Sequence, residues 1–356
     1  MENQLDQYIN IEISEKGDII SVANTLTDND NEYGSSKWRD KKIRNQLFAK
    51  SLLRLKMSKK HRLKLSKETI KRIEDCGGVL GFKVGPDQQR LSQAFLCHNR
   101  YCPICSWRSS LRLSSDNYKI LDNYIKQDKN NRLIFLTLTI KNCSGNNLKR
   151  TISSLNEGFR KIRKRKFYKE NFTGDIKTLE ITINKNDLTF HPHLHVILSC
   201  NNNYFSKSNK YYLQARDWAD IWAKCIKQSY SIIDVRSIKN DDIWNANLEI
   251  SKYVSKDSDY LLFKENHKGK VVVDSDKTDY ILFYLINETK GLRFISYSGD
   301  FKRIKKELQI KDLEDYTDDD LVVTDESVQI DSRLVVIYRW SLGASNYLLH
   351  DYYFEK

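Results

Sequence analysis

Hydrophobic and polar residues alternate in several stretches of the chain, as they do in strands that are buried on one face. Residues 132–142, 175–183, 190–198 and 231–238 are rich in β-branched, aromatic and aliphatic residues and show this pattern. Residues 184–187 (Asn-Lys-Asn-Asp) are typical of a turn. The pattern therefore predicts four strands, of which the second and third form an antiparallel hairpin.

A second pattern, with apolar residues three or four positions apart, predicts amphipathic helices. It is clearest in residues 148–169, where four apolar residues share one face, and in residues 212–227. Residues 111–126 predict another helix, and residues 334–349 predict a final strand and helix. Together these elements favour an α+β fold with a central antiparallel sheet flanked by helices.

The composition is that of a soluble protein large enough for two domains. Its 356 residues are 40% hydrophobic and 30% charged, with a net charge of +13, which indicates a polyanionic partner. No apolar run is long enough to span a membrane, and the polar N-terminal stretch does not resemble a signal peptide. We therefore expect a cytoplasmic protein without a membrane partner. Seven cysteines in such a protein favour free thiols and metal ligands over disulfides.

The charges are unevenly distributed and divide the sequence into four regions. Residues 1–36 are acidic and predict a flexible leader. Residues 37–125 combine basic helices with four cysteines, residues 130–262 contain the predicted sheet, and residues 263–356 have no clear role. Residues 311–331 carry nine acidic residues. We interpret this tract as a soluble loop, with nucleic-acid mimicry or recruitment of a host protein as alternatives.

The helix predicted over residues 148–169 also carries nine Lys or Arg residues against one Glu. A cationic surface of this density can hold a nucleic-acid backbone by charge and counterion release. A solvated basic face without a ligand is the alternative. The predicted DNA contacts are Arg160, Lys161, Arg163, Lys164, Arg165 and Lys166.

Three cysteines, Cys97, Cys102 and Cys105, lie within nine residues of one another. A C-x2-C turn allows two thiolates to bind the same ion, and a closed structural zinc site needs four ligands. Cys76 is the first candidate for the fourth ligand, and His98 is the second. The sequence therefore predicts a structural Zn²⁺ that stabilises a small subdomain. Buried, reduced cysteines are the alternative.

Three of the seven histidines, His191, His193 and His195, alternate within one predicted strand and therefore project from one face. If the hairpin is centred on its turn, Glu180 lies opposite His193 on that face. Imidazole and carboxylate together suit a Mg²⁺ or Mn²⁺ ion that binds a phosphate. His191 is either a spare ligand or a hydrogen-bonding partner of the ligands. The alternatives are surface histidines, or a register shifted by one residue that turns Glu180 to the other face.

These motifs resemble those of a known family. The His-Leu-His sequence at residues 193–195 resembles the two-histidine motif of the HUH endonucleases, and its flanking residues resemble the rolling-circle plasmid replication initiators. The Cys-Pro-x-Cys knuckle that runs into Trp-Arg at residues 102–108, and the strand at residues 132–142, are similar to further features of these initiators. The resemblance covers roughly residues 76–260 and implies an HUH nuclease domain with a zinc-binding segment.

Residues 249–256 contain a Glu, a Lys-Tyr pair and a second Lys, spaced as in the third motif of one group of these initiators. The resemblance implies that Tyr253 is the nucleophile and that Glu249 is the base that later activates water or a 3′-hydroxyl. It also implies that Lys252 and Lys256 contact phosphate. On spacing alone, these residues would indicate only one side of an ordinary helix.

The resemblance implies a replication initiator that nicks single-stranded or hairpin DNA at an origin. The products would be a 5′-phosphotyrosine link and a 3′-hydroxyl that primes rolling-circle replication of a plasmid or related mobile element. Host helicase and polymerase would be its partners. Two alternatives are an HUH transposase or relaxase with the same chemistry, and a non-enzymatic, zinc-dependent DNA-binding regulator. Neither the oligomeric state nor the origin sequence follows from the residues.

Overall fold

The computed structural model describes residues 12–13, 19–21, 25–26, 36–85, 89–229, 231–239, 242–251, 257–324 and 333–355. The chain forms two compact units. The first comprises Met1–Lys56, Lys64–Arg112 and Tyr316–Lys356, and the second comprises Met57–Leu63 and Leu113–Asp315. Both units combine helices with antiparallel strands, which confirms the predicted α+β class.

The strands in the described part of the chain are β1 (Glu12–Ile13), β2 (Ile19–Ser21), β3 (Val79–Val84), β4 (Gln89–Ala94), β5 (Asn131–Thr139), β6 (Phe172–Ile183), β7 (Phe190–Asn201), β8 (Ile233–Ile238), β9 (Phe263–Glu265), β10 (Val271–Val273), β11 (Ile295–Tyr297), β12 (Leu334–Ser341) and β13 (Asn346–Phe354). The helices there are α1 (Ser36–Met57), α2 (Lys67–Asp75), α3 (Pro103–Gln127), α4 (Leu148–Arg163), α5 (Lys166–Asn171), α6 (Ala215–Ile226), α7 (Ile243–Ile250), α8 (Asp257–Tyr260), α9 (Ser275–Glu288), α10 (Gly299–Glu307) and α11 (Asp318–Val322). The four strands predicted from alternation are confirmed as β5 to β8.

The first unit is built on a four-stranded antiparallel sheet in the order β13-β12-β3-β4. Strand β12 therefore lies between its hairpin partner β13 and β3, which comes from the N-terminal third of the chain. The predicted C-terminal helix is wrong, because Asn346–Phe354 forms strand β13. This segment is rich in Tyr and Leu and follows a tight turn that contains Gly343, and both features favour a hairpin.

Helices pack on this sheet through aromatic and buried polar contacts. Trp38 of α1 meets Trp107 of α3 with ring centroids 4.9 Å apart. The neighbouring Arg108 is buried and donates hydrogen bonds to the carbonyl oxygens of Leu321 and Val322, each at 2.8 Å. Burial lowers the pKa of Arg108 to about 10, so the side chain is still charged at neutral pH. Part of the acidic tract interpreted as a loop is thus a short helix, α11, held by this arginine.

The second unit is built on a five-stranded antiparallel sheet in the order β11-β6-β7-β5-β8. Because side chains alternate along a strand, His193 and His195 of β7 lie on one face, which we call the histidine face, and Leu194 lies on the opposite face. Apolar residues of α3, α7 and α10 pack on part of the histidine face and form a core with residues such as Phe135 and Ile197. Helix α4 covers the opposite face, and α6 packs on α4.

Two short antiparallel pairs, β1 with β2 and β9 with β10, are separate from these sheets in the described part of the chain. None of the helices described there is both long enough and apolar enough to cross a membrane.

Candidate metal centre and nucleic-acid site

The hairpin of β6 and β7 brings a carboxylate and two imidazoles together. Glu180 lies directly opposite His193, which is the register predicted from the turn. An oxygen of Glu180 (Oε2) is 3.2 Å from Nε2 of His193 and 2.9 Å from Nε2 of His195. All three side chains are buried, and their ligand atoms lie within 4.8 Å of one another. We call Glu180, His193 and His195 the carboxylate–histidine group.

The hydrogen bonds of this group orient the His193 imidazole with Nε2 towards the carboxylate. Nδ1 of His193 is 3.2 Å from the carbonyl oxygen of His191. Since a carbonyl oxygen can only accept, Nδ1 carries the proton, and in the neutral ring Nε2 presents a lone pair to Glu180. At this distance either a proton on Nε2 or a bound metal ion can link the imidazole to the carboxylate. Thr137 of β5 contacts the other imidazole, with Oγ1 3.3 Å from Nδ1 of His195.

The electrostatics of the group also fit a divalent ion. Burial alone would raise the pKa of Glu180, but hydrogen bonds from His193 and His195 outweigh it and hold that pKa well below its usual range. The carboxylate is therefore ionised. Ligand atoms at about 2.1 Å from one octahedral ion lie about 3 Å apart, which matches the two separations in the group. The group could thus hold a divalent metal ion with three protein ligands.

His191 is not a member of this group. Its ring centroid is 5.3 Å from that of His193, and burial together with the charge of His193 lowers its pKa. The backbone carbonyl of His191 accepts the hydrogen bond from His193, and its imidazole lies beside the His193 ring. His191 thus lies beside this group, and its two predicted roles, a spare ligand or a hydrogen-bonding partner, stay predictions.

Helix α7 ends over the histidine face next to the carboxylate–histidine group. The hydroxyl of Thr178, which lies opposite His195 on β6, donates a hydrogen bond of 2.8 Å to the carbonyl oxygen of Ile250, the last residue of the helix. Glu249, the predicted base, is half-buried in the last turn of α7. The predicted residues Lys252, Tyr253 and Lys256 lie outside the described residues. The chain resumes with α8, whose Tyr260 is fully buried and which contacts β6.

A network of buried polar side chains, which sequence reasoning missed, fixes the end of α7 to α3. Asn247 donates a hydrogen bond of 2.9 Å to the carbonyl oxygen of Ser114 and accepts one of 3.1 Å from the hydroxyl of Ser251. Asn117 donates to the same Ser251 hydroxyl at 3.1 Å and accepts a hydrogen bond of 2.7 Å from the hydroxyl of Tyr297. Asn117 and Asn247 are fully buried. In the sequence, only the presence of Asn at core-facing positions of two helices could have indicated this network.

The structure does not bring the predicted cationic strip to the carboxylate–histidine group. Helix α4 hydrogen-bonds to β6 through Asp175, which accepts from Arg163, and through Lys177, which donates to Asn156 at 2.5 Å. Both strand residues have odd numbers and lie on the face opposite Glu180. Arg163 is therefore a partner of a buried carboxylate. The other five predicted DNA contacts are exposed or half-exposed along α4 and α5 on that side: Arg160, Lys161, Lys164, Arg165 and Lys166.

The four predicted cysteines converge in the first unit. Cys76 follows α2, Cys97 follows β4, and the pair Cys102 and Cys105 lies at the beginning of α3. Sulfur–sulfur separations are 3.5 Å for Cys76 and Cys105, 3.6 Å for Cys76 and Cys102, and 3.7 Å for Cys97 and Cys105. Sulfurs at about 2.3 Å from one tetrahedral zinc lie about 3.8 Å apart, so the separations fit one ion. We call these four residues the cysteine cluster.

The surroundings distinguish Cys76 from His98 as the fourth member of the cluster. His98 turns away, and its Nε2 is 2.5 Å from a carboxylate oxygen of Asp318. Around the sulfurs, Asn45 of α1 donates a hydrogen bond of 3.3 Å to Sγ of Cys102, and Lys42 donates one of 2.7 Å to the carbonyl oxygen of Cys76. Burial raises the pKa of the Cys76 thiol well above its usual value. A bound cation would offset that effect and stabilise four thiolates so close together.

Comparisons with known proteins agree with these motifs. A family model described as "Replication protein" matches residues 88–348. A "Protein rep" of Lactiplantibacillus plantarum is 32% identical over 88% of this chain and 95% of its own length. Proteins of the same name from Lentilactobacillus hilgardii and Streptococcus pneumoniae serotype 2 are 34% and 33% identical, over 88% and 79% of this chain and 94% and 84% of their own lengths.

No solved structure matches the chain significantly. The family match covers most of the chain, and the relatives are matched over most of their lengths. These matches confirm the resemblance to plasmid replication initiators that the motifs carry. The chain therefore belongs to the family of bacterial replication (Rep) proteins.

Proposed function

We propose that this Rep protein nicks single-stranded DNA at the origin of its replicon through a covalent link to Tyr253. The observation that carries the proposal is the position of the end of α7 beside the carboxylate–histidine group. The bond from Thr178 to the carbonyl of Ile250 fixes that end one strand away from His195. Tyr253 follows Ile250 by three residues, which span at most about 11 Å, and this short link supports the proposal.

The carboxylate–histidine group would hold Mg²⁺ or Mn²⁺ through one oxygen and two nitrogens. A divalent ion bound there would polarise the scissile phosphate. The Tyr253 oxygen forms a bond to phosphorus and loses its proton, while the bond from phosphorus to the 3′-oxygen breaks and that oxygen leaves as a hydroxyl. Glu249, four residues before Tyr253 in the sequence, then serves as the base for the reverse or hydrolytic step. Lys252 and Lys256 bind the phosphate oxygens.

We further propose that the cysteine cluster binds Zn²⁺ and has no part in this reaction. Four sulfur ligands, three of them from buried cysteines, leave no open position for substrate, which is the arrangement of structural zinc sites. The free 3′-hydroxyl would prime rolling-circle replication of a plasmid, and host helicase and polymerase would extend it.

The experiment that tests this function is covalent trapping. The protein is incubated with Mn²⁺ and labelled single-stranded oligonucleotides that tile the origin region of its replicon, and adducts are separated on a denaturing gel. We expect one oligonucleotide to give a metal-dependent adduct that is absent with Tyr253→Phe and with His193→Ala. Zinc-dependent duplex binding without an adduct on any oligonucleotide would instead support a DNA-binding regulator.

A further inference from the structure

An arginine outside all the predicted motifs lies on the histidine face. Strand β8 is at the edge of the sheet next to β5, and Arg236 of β8 is paired with Phe135 of β5. The next pair on the same face is Asp234 with Thr137, and Thr137 is paired in turn with His195 of β7. Arg236 therefore lies on the same face as the carboxylate–histidine group, two strands away and one pair along.

The side chain of Arg236 is held towards this group. Its guanidinium carbon is 4.7 Å from the centroid of the Phe135 ring, and that ring is 5.7 Å from the ring of His195. Stacking on an aromatic ring restricts the orientation of a guanidinium without using its N–H donors. The cation is thus positioned in advance, with an aromatic ring between it and one proposed metal ligand.

The guanidinium is also accessible to a ligand. The Arg236 side chain is 46% exposed, and Asp234, its acidic neighbour on the same strand, is 55% exposed. Nε of Arg236 is 3.9 Å from Oδ2 of Asp234, which is too long for a hydrogen bond, and an exposed pair at this distance contributes little to stability. Within the sheet, strand β5 lies between this arginine and the group, and Thr137 of that strand carries a hydroxyl.

We propose that Arg236 binds the phosphate next to the scissile phosphate and so fixes the path of the DNA strand across the sheet towards β8. This inference rests on the proposed function. A planar guanidinium donates two parallel hydrogen bonds to a phosphate and is more weakly hydrated than an ammonium, so it suits this contact. Arg236 is a positioning residue in this arrangement: it holds a neighbouring phosphate and takes no part in the transfer itself.

The test combines Arg236→Gln with single methylphosphonate substitutions, which neutralise one phosphate at a time. Binding of the origin oligonucleotide is measured with Mg²⁺ in a Tyr253→Phe background, so that no strand is cut. In the protein that retains Arg236, we expect neutralisation of one phosphate next to the scissile one to weaken binding about tenfold. Arg236→Gln weakens binding of the unmodified strand by a similar factor, and neutralising that phosphate then has no further effect.

Two further measurements separate a phosphate contact from a general loss of structure. The salt dependence of single-strand binding falls by about 0.7 in slope for Arg236→Gln, as expected for one lost phosphate contact. Arg303→Gln is the matched control, because Arg303 is an exposed arginine of α10 that pairs with Glu307. We expect this variant to bind the oligonucleotide as the protein with Arg303 does. If Arg236→Gln does not fold, Arg236→Lys tests the same contact, with a smaller loss at the same phosphate.

Equal losses at every methylphosphonate position, or unchanged binding by Arg236→Gln, would overturn the inference. So would a wild-type protein that is insensitive to neutralisation of either flanking phosphate. Failure of the proposed function has a different signature. In that case the protein with Tyr253 intact forms no covalent adduct, whatever residue is present at position 236.

Discussion

The two candidate metal groups differ in the number of ligands and in what surrounds them. The cysteine cluster supplies four sulfurs, and three of its residues are at most 2% exposed. The carboxylate–histidine group supplies only three ligand atoms, on a sheet face that leads to the half-exposed Arg236. Four ligands saturate a tetrahedral ion, whereas three leave positions for a substrate oxygen. The contrast supports the proposal of one structural and one catalytic metal site.

The largest expected effect comes from removing an imidazole of the carboxylate–histidine group. We expect His195→Ala to lower the nicking rate by more than about a hundredfold, because loss of a direct ligand exceeds the ten- to hundredfold cost typical of residues that only support a ligand. Calorimetric titration should show weakened Mn²⁺ binding, with zinc content unchanged. His267→Ala, in the exposed β9–β10 turn, is the control. Full nicking by His195→Ala would show that the carboxylate–histidine group is not needed for catalysis.

The next largest effect is expected at the cysteine cluster and concerns stability. Cys102→Ser should lose one equivalent of zinc and lower the melting temperature by several degrees or more, because metal-binding free energy at such a site is folding free energy. Elemental analysis and thermal unfolding measure the two changes. Cys143→Ser serves as the control, since Cys143 lies outside the cluster. Unchanged zinc content in Cys102→Ser would mean that the cluster is simply a set of buried thiols.

A smaller effect is expected from the hydrogen bond to the cluster. Asn45→Leu removes the donor to Sγ of Cys102, and we expect zinc affinity to fall about tenfold. Competition with a chromophoric chelator measures it, with Gln46→Leu on the same helix as the control. An affinity equal to that of the wild type would show that α1 supports the cluster only by packing.

The buried network beside α7 should affect nicking without affecting metal binding. Asn247→Leu removes the bonds to Ser114 and Ser251, and we expect a nicking rate lower by about tenfold with unchanged Mn²⁺ affinity. Asn245→Leu, at an exposed position of the same helix, is the control. A parallel loss of Mn²⁺ affinity would show that the network supports the sheet and not the helix end.

The smallest effect concerns Lys177, on the face opposite the carboxylate–histidine group. Burial, together with the charge of Arg163, lowers the pKa of Lys177 to about 8. Between that value and the usual 10.5 the unfolded chain binds more protons, so this residue makes stability rise with pH. Lys177→Met should therefore unfold at higher urea concentration than the wild type at pH 7.5, and the difference should shrink by pH 9.5. A difference independent of pH would contradict this, and Lys185→Met in the exposed turn is the control.

Local features of the chain were predictable, whereas long-range pairing was not. The register of Glu180 with His193 follows from a short turn, and the knuckle of Cys102 and Cys105 follows from spacing within one turn. The pairing of β12 with β3 depends on which strands cover a common core, which local alternation does not encode.

The same reason explains two features that the sequence did not reveal. The amphipathic pattern of α4 correctly predicts a helix with one apolar side, but a helix of this kind can pack on either face of a sheet. Arg236 was missed because its proposed role depends on a strand neighbour, Phe135, that is distant in the sequence. Residues that act through cross-strand partners need the register before they can be recognised.

Mapping of the covalent adduct by mass spectrometry tests the central claim most directly. The protein is trapped with an origin oligonucleotide and Mn²⁺, digested with nuclease and protease, and searched for peptides that carry a 5′-phosphonucleotide. The account predicts one modified peptide, with the nucleotide on Tyr253, and no modified peptide when His193 is replaced by Ala. A nucleotide on any other residue, or an adduct that forms without the carboxylate–histidine group, would contradict it.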